Sequence, residues 1–307
     1  MSFMKRTLFI LILKILIIQS FLFAQKKLFV VTTTQDLADL AKNVGKDKIE
    51  VVSLTYGWQD PHRIELRPSM VSTLAKADLV IKIGMDLDSW VDSLIFASRN
   101  SKIAYGQKGY LDVSSRIKKL EVPEGKVDAS MGDIHIYGNP HYWLSPTNAK
   151  IIVEDIAERL AELSEENKTF FEENAKQYVK ELDKKINEWT QKVANIENKK
   201  VVSYHKTFAY FYNEFGFKEI ATVEPKPGIP PTPKYLNSLI EKINQEKPLC
   251  ILHESFYPLK NTKFLSQKTN IPYVVVSTSV GGEKGIEDYI TLIDTIINKI
   301  CSVAQTK

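Results

Sequence analysis

The chain contains 307 residues, of which 44% are hydrophobic and 25% are charged, and its formal net charge at pH 7 is +4. Residues 1–24 hold three of the 41 basic residues and none of the 37 acidic residues, so the rest is nearly neutral, with 38 basic residues against 37 acidic ones. This balance provides no basic face for binding nucleic acid. The 283 residues that follow position 24 are enough for two hydrophobic cores.

Residues 1–24 have the pattern of a signal peptide. Lys5 and Arg6 precede an apolar run that is interrupted by Lys14 and ends at Ala24. We expect cleavage after Ala24 and export to the periplasm. The alternative is a retained anchor helix, for which the apolar run is short. The first cysteine is Cys250, too far from the run to carry a lipid, so we expect a soluble monomer.

In the first half of the chain, short β-branched runs alternate with amphipathic stretches, which is typical of βαβ units and a parallel sheet. The pattern predicts four strands, at 28–33, 49–54, 78–84 and 103–105, and helices at 37–44, 68–77 and 87–97. Between 106 and 140 the pattern dissolves into small and charged residues. We therefore interpret that stretch as a surface excursion without a core of its own.

The second half repeats this rhythm after two helices, at 147–163 and 165–195, the latter about 45 Å long. Strands are predicted at 200–204, 219–223, 249–253 and 273–277, and helices at 208–215, 233–245, 262–269 and 286–304. The fold class is α/β, with two lobes, each a mostly parallel four-stranded sheet flanked by helices, joined by one long rigid helix. The predicted divisions are a signal peptide (1–24), an N-terminal lobe (25–164), a linking helix (165–196) and a C-terminal lobe (197–307).

Two cysteines, Cys250 and Cys301, lie in a chain that we place outside the cytosol. A disulfide between them is one interpretation. Two thiols that never meet are the other, because the sequence does not give the distance between them.

Three of the five histidines follow predicted strands or a loop proline: His62, His141 and His205. Ligands of open α/β sheets bind beyond the carboxyl ends of the strands, so these side chains can face one cleft. Neutral imidazole is a good ligand for Zn²⁺, and three of them leave one tetrahedral position open. Taken singly, each could instead be an ordinary loop histidine.

At these residues the chain resembles the ABC-transporter substrate-binding proteins that take up zinc or manganese, which have two α/β lobes joined by one long helix. The resemblance covers essentially the whole mature chain. It implies that His62 and His141 from the N-terminal lobe and His205 from the C-terminal lobe bind the metal, and that the partners are a membrane permease and, through it, an ATPase. The motifs that carry it are Asp60-Pro61-His62, Pro140-His141-Tyr142-Trp143 with Ser145-Pro146, the long helix, Tyr204-His205-Lys206-Thr207-Phe208 with Tyr210, Phe211 and Gly216, and the proline-rich loop after Glu224.

The resemblance does not extend to the fourth metal ligand. Many members of that family place an aspartate after the last strand of the C-terminal lobe, and here residues 276–282 contain no carboxylate. Glu254 is a candidate ligand, or a hydrogen-bond acceptor for a ligand histidine, and water is a third option. The loop before His141 has a single histidine, His135, which we interpret as an accessory residue for metal capture.

Three nitrogens with at most one oxygen favour Zn²⁺ over Mn²⁺ as the transported ion. A three-histidine zinc hydrolase is the rival function, but it would need a general base beside the metal, and no His-Glu-x-x-His helix occurs. We expect no enzymatic activity. A surface adhesin is a third interpretation, against which the absence of a lipid-bearing cysteine argues. The stiff linking helix predicts little hinge motion on metal binding.

Overall fold

The computed structural model describes residues 27–125, 131–132 and 134–305. The predicted signal peptide lies outside these residues. Within the described part of the chain, no helix is both long and apolar enough to span a lipid bilayer.

The first half of the chain forms a four-stranded, fully parallel sheet in the order β2-β1-β3-β4. We call this sheet with its helices the N-terminal lobe. Its elements are β1 (Leu28–Thr32), α1 (Gln35–Gly45), β2 (Ile49–Ser53), α2 (Pro68–Leu74), β3 (Leu79–Lys82), α3 (Trp90–Ser98) and β4 (Tyr110–Asp112). Helix α1 begins where the Thr34 hydroxyl accepts the backbone N–H of Leu37, an N-cap that satisfies one of the open amides of its first turn.

The second half forms another parallel sheet with the equivalent order, β6-β5-β7-β8, which we call with its helices the C-terminal lobe. Its elements are β5 (Lys200–Ser203), α6 (Ala209–Phe215), β6 (Lys218–Thr222), α7 (Pro233–Glu246), β7 (Cys250–Glu254), α8 (Lys260–Thr269), β8 (Tyr273–Val276) and α9 (Tyr289–Gln305). In both lobes the first strand lies inside the sheet, with the second on one side and the third on the other. The connections after each strand therefore gather at the carboxyl edge.

Two helices lie between the sheets in sequence, α4 (Pro146–Leu163) and α5 (Lys168–Ala194), and α5, at 27 residues, joins the lobes. The predicted long helix is thereby confirmed. The lobes also share one hydrophobic core, which contains Val30 of β1 as well as Val201 of β5. Their strand neighbours Val31 and Val202 face the opposite side of each sheet and pack into two smaller, separate cores. A shared core resists rotation of one lobe against the other.

Two predictions about the first half are wrong. The fourth strand is not at 103–105, where a short 3-10 helix ends, but at Tyr110–Asp112. The stretch 106–140 is also not wholly a surface excursion: it has no core of its own among its described residues, but Leu111, Val113 and Ile117 are buried in the core that the lobes share. The strand was missed because it is a three-residue edge strand with a single buried apolar side chain, Leu111.

Of the two interpretations of the cysteines, the structure supports the one without a disulfide, because Cys250 and Cys301 are both free thiols. Cys250 is fully buried in β7, whereas Cys301 lies on α9 with its sulfur 4.0 Å from the carbonyl oxygen of Lys192 on α5. Both cysteines belong to or pack against the same core without forming a disulfide, which is the alternative that the sequence left open.

Candidate metal centre

Three of the sequence-predicted histidines converge at the carboxyl edges of the two sheets. His62 lies in the loop after β2, His205 is the second residue after β5, and His141 precedes the short 3-10 helix Tyr142–Leu144 that leads into α4. One ring nitrogen of each lies within 4.8 Å of one ring nitrogen of the others. The ring centroids of His62 are 5.1 Å from those of both His141 and His205. The structure therefore brings together the three histidines that their positions in the sequence suggested could face one cleft.

The two N-terminal histidines are held by the same local turn, built from an Asx residue, a proline and the histidine. In Asp60-Pro61-His62 one carboxylate oxygen of Asp60 accepts the backbone N–H of His62 at 3.0 Å and also contacts Nδ1 of its ring at 2.9 Å. In Asn139-Pro140-His141 the amide oxygen of Asn139 makes the same two contacts, at 3.0 and 2.9 Å. The intervening proline fixes its own φ, which favours this turn. Nδ1 then serves as the donor, and Nε2 keeps its lone pair.

In His205, Nδ1 is also hydrogen-bonded to an oxygen, but the partner is a residue distant in the sequence. Its Nδ1 lies 2.8 Å from Oε2 of Glu224, which follows β6, the strand adjacent to β5. The same carboxylate oxygen accepts the backbone N–H of Gly228 at 3.0 Å, so the proline-rich loop fixes Glu224. A carboxylate bonded to Nδ1 selects the tautomer with a free Nε2 and raises the basicity of that nitrogen.

The electrostatics of the cluster favour neutral imidazoles. Burial, followed by the charge of His62, lowers the pKa of His141 well below its ordinary value. Burial also lowers the pKa of His205, against the opposing hydrogen bond from Glu224. Although burial raises the pKa of Asp60, the hydrogen bond and charge of His62 hold it below its ordinary value, so this carboxylate stays ionised. Neutral rings beside anionic acceptors are the protonation state that a cationic metal requires.

A fourth histidine, His135, lies beside the other three. Its ring centroid is 5.3 Å from that of His62, and its Nε2 is buried without a hydrogen-bond partner. Its ring bonds the backbone of Met85, and burial together with His62 and His205 lowers its pKa to about 3. A buried unpaired nitrogen is unfavourable unless something binds it. His135 therefore lies beside His62, although it is outside the group of three histidines whose ring nitrogens lie within 4.8 Å of one another.

The fifth histidine, His253, and the remaining candidate, Glu254, have different surroundings. His253 is fully buried, with Nδ1 2.9 Å from the Thr262 hydroxyl and Nε2 3.0 Å from the Tyr257 carbonyl oxygen, so both nitrogens are already used. Glu254 is also fully buried and lies outside the three-histidine group. One of its oxygens accepts the hydroxyl of Thr207, and burial raises its pKa to about 8. Its other oxygen, Oε2, is buried without a hydrogen-bond partner, and Glu254, like His135, lies outside the group of three histidines.

Comparison with known proteins identifies the family. Residues 30–303 match the family described as zinc-uptake complex component A, periplasmic, or ZnuA. The chain belongs to this family.

Curated relatives agree with that placement. The chain is 32% identical to the manganese ABC transporter substrate-binding lipoprotein PsaA of Streptococcus mitis. The match covers 92% of this chain and 92% of that protein. It is 31% identical to the metal ABC transporter substrate-binding lipoprotein FimA of Streptococcus parasanguinis. This match covers 90% of this chain and 89% of that protein. These relatives are named as components of metal ABC transporters, so the family resemblance seen in the sequence is confirmed.

Solved structures of the family share the fold. A crystal structure of ZnuA is 22% identical and superposes with a TM-score of 0.77, covering 91% of this chain and all of that one. The Mn-bound periplasmic metal-binding protein from Candidatus Liberibacter asiaticus is 23% identical, with a TM-score of 0.75 and the same coverage. The two sheets and the linking helix are therefore the ZnuA-family architecture.

In this ZnuA-family chain, sequence reasoning missed the residues that orient the histidines. Asp60 and Asn139 stand two residues before their histidines with a proline between, a repeated signal that was available in the sequence. Glu224 was recognised only as the residue before the proline-rich loop. Its pairing with His205 depends on β5 and β6 being neighbours, which the sequence alone does not state.

Proposed function

We propose that this protein captures Zn²⁺ as transported cargo, binding it through His62, His141 and His205 with His135 as the fourth nitrogen, and delivers it to the permease of an ABC importer. The observation that carries this is the common arrangement of the rings. Each has one side fixed to an oxygen or backbone partner, and the available nitrogens of the first three lie within 4.8 Å of one another. Such oriented imidazoles match a tetrahedral zinc site, with Zn–N bonds of about 2.0 to 2.1 Å.

The donor set supports zinc over manganese. Several relatives are named as manganese transporters, including those of Streptococcus mitis and Streptococcus pneumoniae. Mn²⁺ prefers oxygen ligands and binds a given nitrogen site more weakly than Zn²⁺. Glu254, the sequence-predicted oxygen donor, has a raised pKa, so protons compete with a metal ion for it, and one of its oxygens already accepts the Thr207 hydroxyl. We therefore give the donor chemistry more weight than the names of relatives about 31% identical.

Delivery requires export and docking. We propose that residues 1–24 direct the chain to the periplasm, where it acts as a monomer and docks on the permease with the face that carries the histidine cluster. Because the lobes share a core, release would proceed through movement of the loops that carry His62 and His135 rather than through a large closure of the lobes.

The test is a competition titration against a fluorescent zinc chelator, with Mn²⁺ measured in parallel. Wild type should bind one Zn²⁺ much more tightly than Mn²⁺. His62→Ala, His141→Ala and His205→Ala should each weaken zinc binding by more than about 100-fold, since loss of a residue that merely orients a ligand already weakens it about 10- to 100-fold.

His135→Ala should weaken zinc binding less than these three substitutions and should reduce the preference for Zn²⁺ over Mn²⁺. His253→Gln is the matched control, because both ring nitrogens of His253 are already hydrogen-bonded away from the cluster. It should leave zinc affinity unchanged. A wild-type chain that binds no zinc, or binding that survives loss of His62, His141 or His205, would refute the proposed site.

A further inference from the structure

The segment 277–282, which follows β8 and which we call the bridging segment, crosses from the C-terminal lobe to the N-terminal lobe. The Ser279 hydroxyl donates to one carboxylate oxygen of Asp36 at 2.5 Å, and the Val280 backbone N–H donates to the other at 2.9 Å. Asp36 lies in the first turn of α1 and is 1% exposed. A single buried carboxylate of one lobe thus holds two successive residues of the other.

A second contact fixes the same segment. Gly57, in the loop that leads to His62, has no room for a side chain, since a Cβ there would lie 1.9 Å from the Val280 carbonyl oxygen. A Cβ on Gly282 would lie 2.5 Å from the carbonyl oxygen of Gly57. The backbone of the His62 loop therefore packs directly against the bridging segment, and any added methyl group would push the two apart.

A third contact links the segment to His141. The indole N–H of Trp143 donates to the Thr278 carbonyl oxygen at 2.9 Å, and the Trp143 ring lies 5.3 Å from the His141 ring. Both N-terminal histidines are consequently connected to the bridging segment, whereas His205 extends from the C-terminal lobe itself. The bridging segment, which belongs to the C-terminal lobe with His205, therefore contacts the parts of the N-terminal lobe that carry His62 and His141.

We infer that Asp36 is a positioning residue of the metal site, which clamps the bridging segment to the N-terminal lobe and so sets the spacing of His62 and His141 relative to His205. This rests on the proposed function. Asp36 does not touch the ion; it acts through Ser279 and Val280. Binding sites require their ligands within about 0.5 Å of the productive geometry. Loss of the contacts between Asp36 and the bridging segment should therefore weaken metal binding.

A neighbouring carboxylate provides a matched control. Asp39, one turn along α1, is also largely buried and also crosses to the C-terminal lobe, where it accepts the backbone N–H of Tyr289 at 3.0 Å. That contact is to the start of α9 and not to the bridging segment. Asp36→Ala and Asp39→Ala therefore both remove a hydrogen-bonded acid between the lobes, but only the first frees the segment that contacts the His62 loop.

Zinc affinity and the visible spectrum of the Co²⁺-loaded protein should separate the two variants. Asp36→Ala should lower zinc affinity about 10- to 100-fold and change the Co²⁺ bands, which report ligand geometry. Asp36→Asn should recover part of both, because its amide oxygen can still accept the Val280 N–H. Asp39→Ala should lower the unfolding midpoint but leave affinity and spectrum as in wild type. Equal effects of the two alanine variants on affinity, or no effect of Asp36→Ala, would overturn the inference.

Two further variants apply if Asp36→Ala does not fold. Ser279→Ala removes one of the two hydrogen bonds, and Gly57→Ala forces the loop away from Val280; each should alter the Co²⁺ bands, and unchanged bands in both would refute the clamp. The proposed function fails separately. If wild type binds zinc and His62→Ala does not, while the clamp variants bind like wild type, only the positioning role of Asp36 is wrong.

Discussion

One carboxylate oxygen of Asp60 contacts His62 twice, at the backbone N–H and at Nδ1 of the ring, at 3.0 and 2.9 Å. Asn139 contacts His141 through the same two groups at the same distances. The chain thus builds two ligand-presenting turns from one local design, with an anionic acceptor in the first and a neutral one in the second. His205 obtains its acceptor, Glu224, from a neighbouring strand connection instead.

Loss of the acceptor should weaken metal binding without loss of a ligand. Asp60→Ala frees the His62 ring to rotate and to adopt the other tautomer, so zinc affinity should fall about 10- to 100-fold. Asp60→Asn is the control, because Asn139 already performs this role at His141, and it should retain most of the affinity. Chelator competition at pH 7.5 measures both. An Asp60→Ala variant with wild-type affinity would show that the turn does not orient the ligand.

Metal binding should resist mild acid. Protons compete with the metal for imidazole nitrogen, and an ordinary histidine, with a pKa near 6.5, begins to lose this competition just below neutrality. Burial lowers the pKa of His205, lowers that of His141 well below its ordinary value and lowers that of His135 to about 3, so the His141 and His135 rings stay neutral as the pH falls to 6. Zinc affinity, measured by titration from pH 8 to pH 5, should change little at first and then fall as the lowered pKa values are approached. A steep loss between pH 7 and pH 6 would contradict this.

The free energy of unfolding of the metal-free protein should depend on pH through the titration of Asp36. Burial raises its pKa from 3.8 to about 7, so between these values the folded state keeps a proton that the unfolded state releases. The contribution of this proton to folding is fully present below about pH 4 and is lost as the pH rises to about 7, a change on the order of a few kcal/mol. Urea unfolding across this range should show wild type losing stability relative to Asp36→Asn, whose side chain does not titrate. A difference that does not vary with pH would contradict the raised pKa.

The sequence predicted the fold well where the pattern is repetitive. Seven of the eight strands were located within about two residues, because buried parallel strands are continuous apolar runs. The exception, β4, has one inward side chain, Leu111, between two partly exposed residues, so its position is decided by pairing with β3. Local pattern cannot supply that information.

The same division applies to the candidate site. His62, His141 and His205 were predictable because strand ends and loop prolines are visible in the sequence. That the His135 ring lies beside the His62 ring depends on the path of the loop before His141, and that Glu254 is buried with one oxygen bonded to Thr207 depends on the packing of the C-terminal lobe. The contact between Asp36 and Ser279 joins residues 243 positions apart and could not be anticipated from either one.

Substitutions at one buried residue of the linking helix α5 should lower the stability of the protein without changing its zinc affinity. Trp189 is fully buried there, and its indole N–H donates to Asp294 at 2.8 Å, so it ties the helix to α9, which carries none of the four histidines. Trp189→Ala should lower the free energy of unfolding by about 3 to 5 kcal/mol, through the cavity and the lost contacts. Trp189→Phe should lower it by about 1 to 2 kcal/mol, because most of the volume is kept and Asp294 still pairs with Lys185 at 2.8 Å. Zinc affinity of the folded fraction should match wild type in both variants, measured under conditions where unfolding is negligible. If Trp189→Ala weakened zinc binding as strongly as Asp60→Ala, the shared core would be setting the geometry of the site, and the clamp at Asp36 would not be its main determinant.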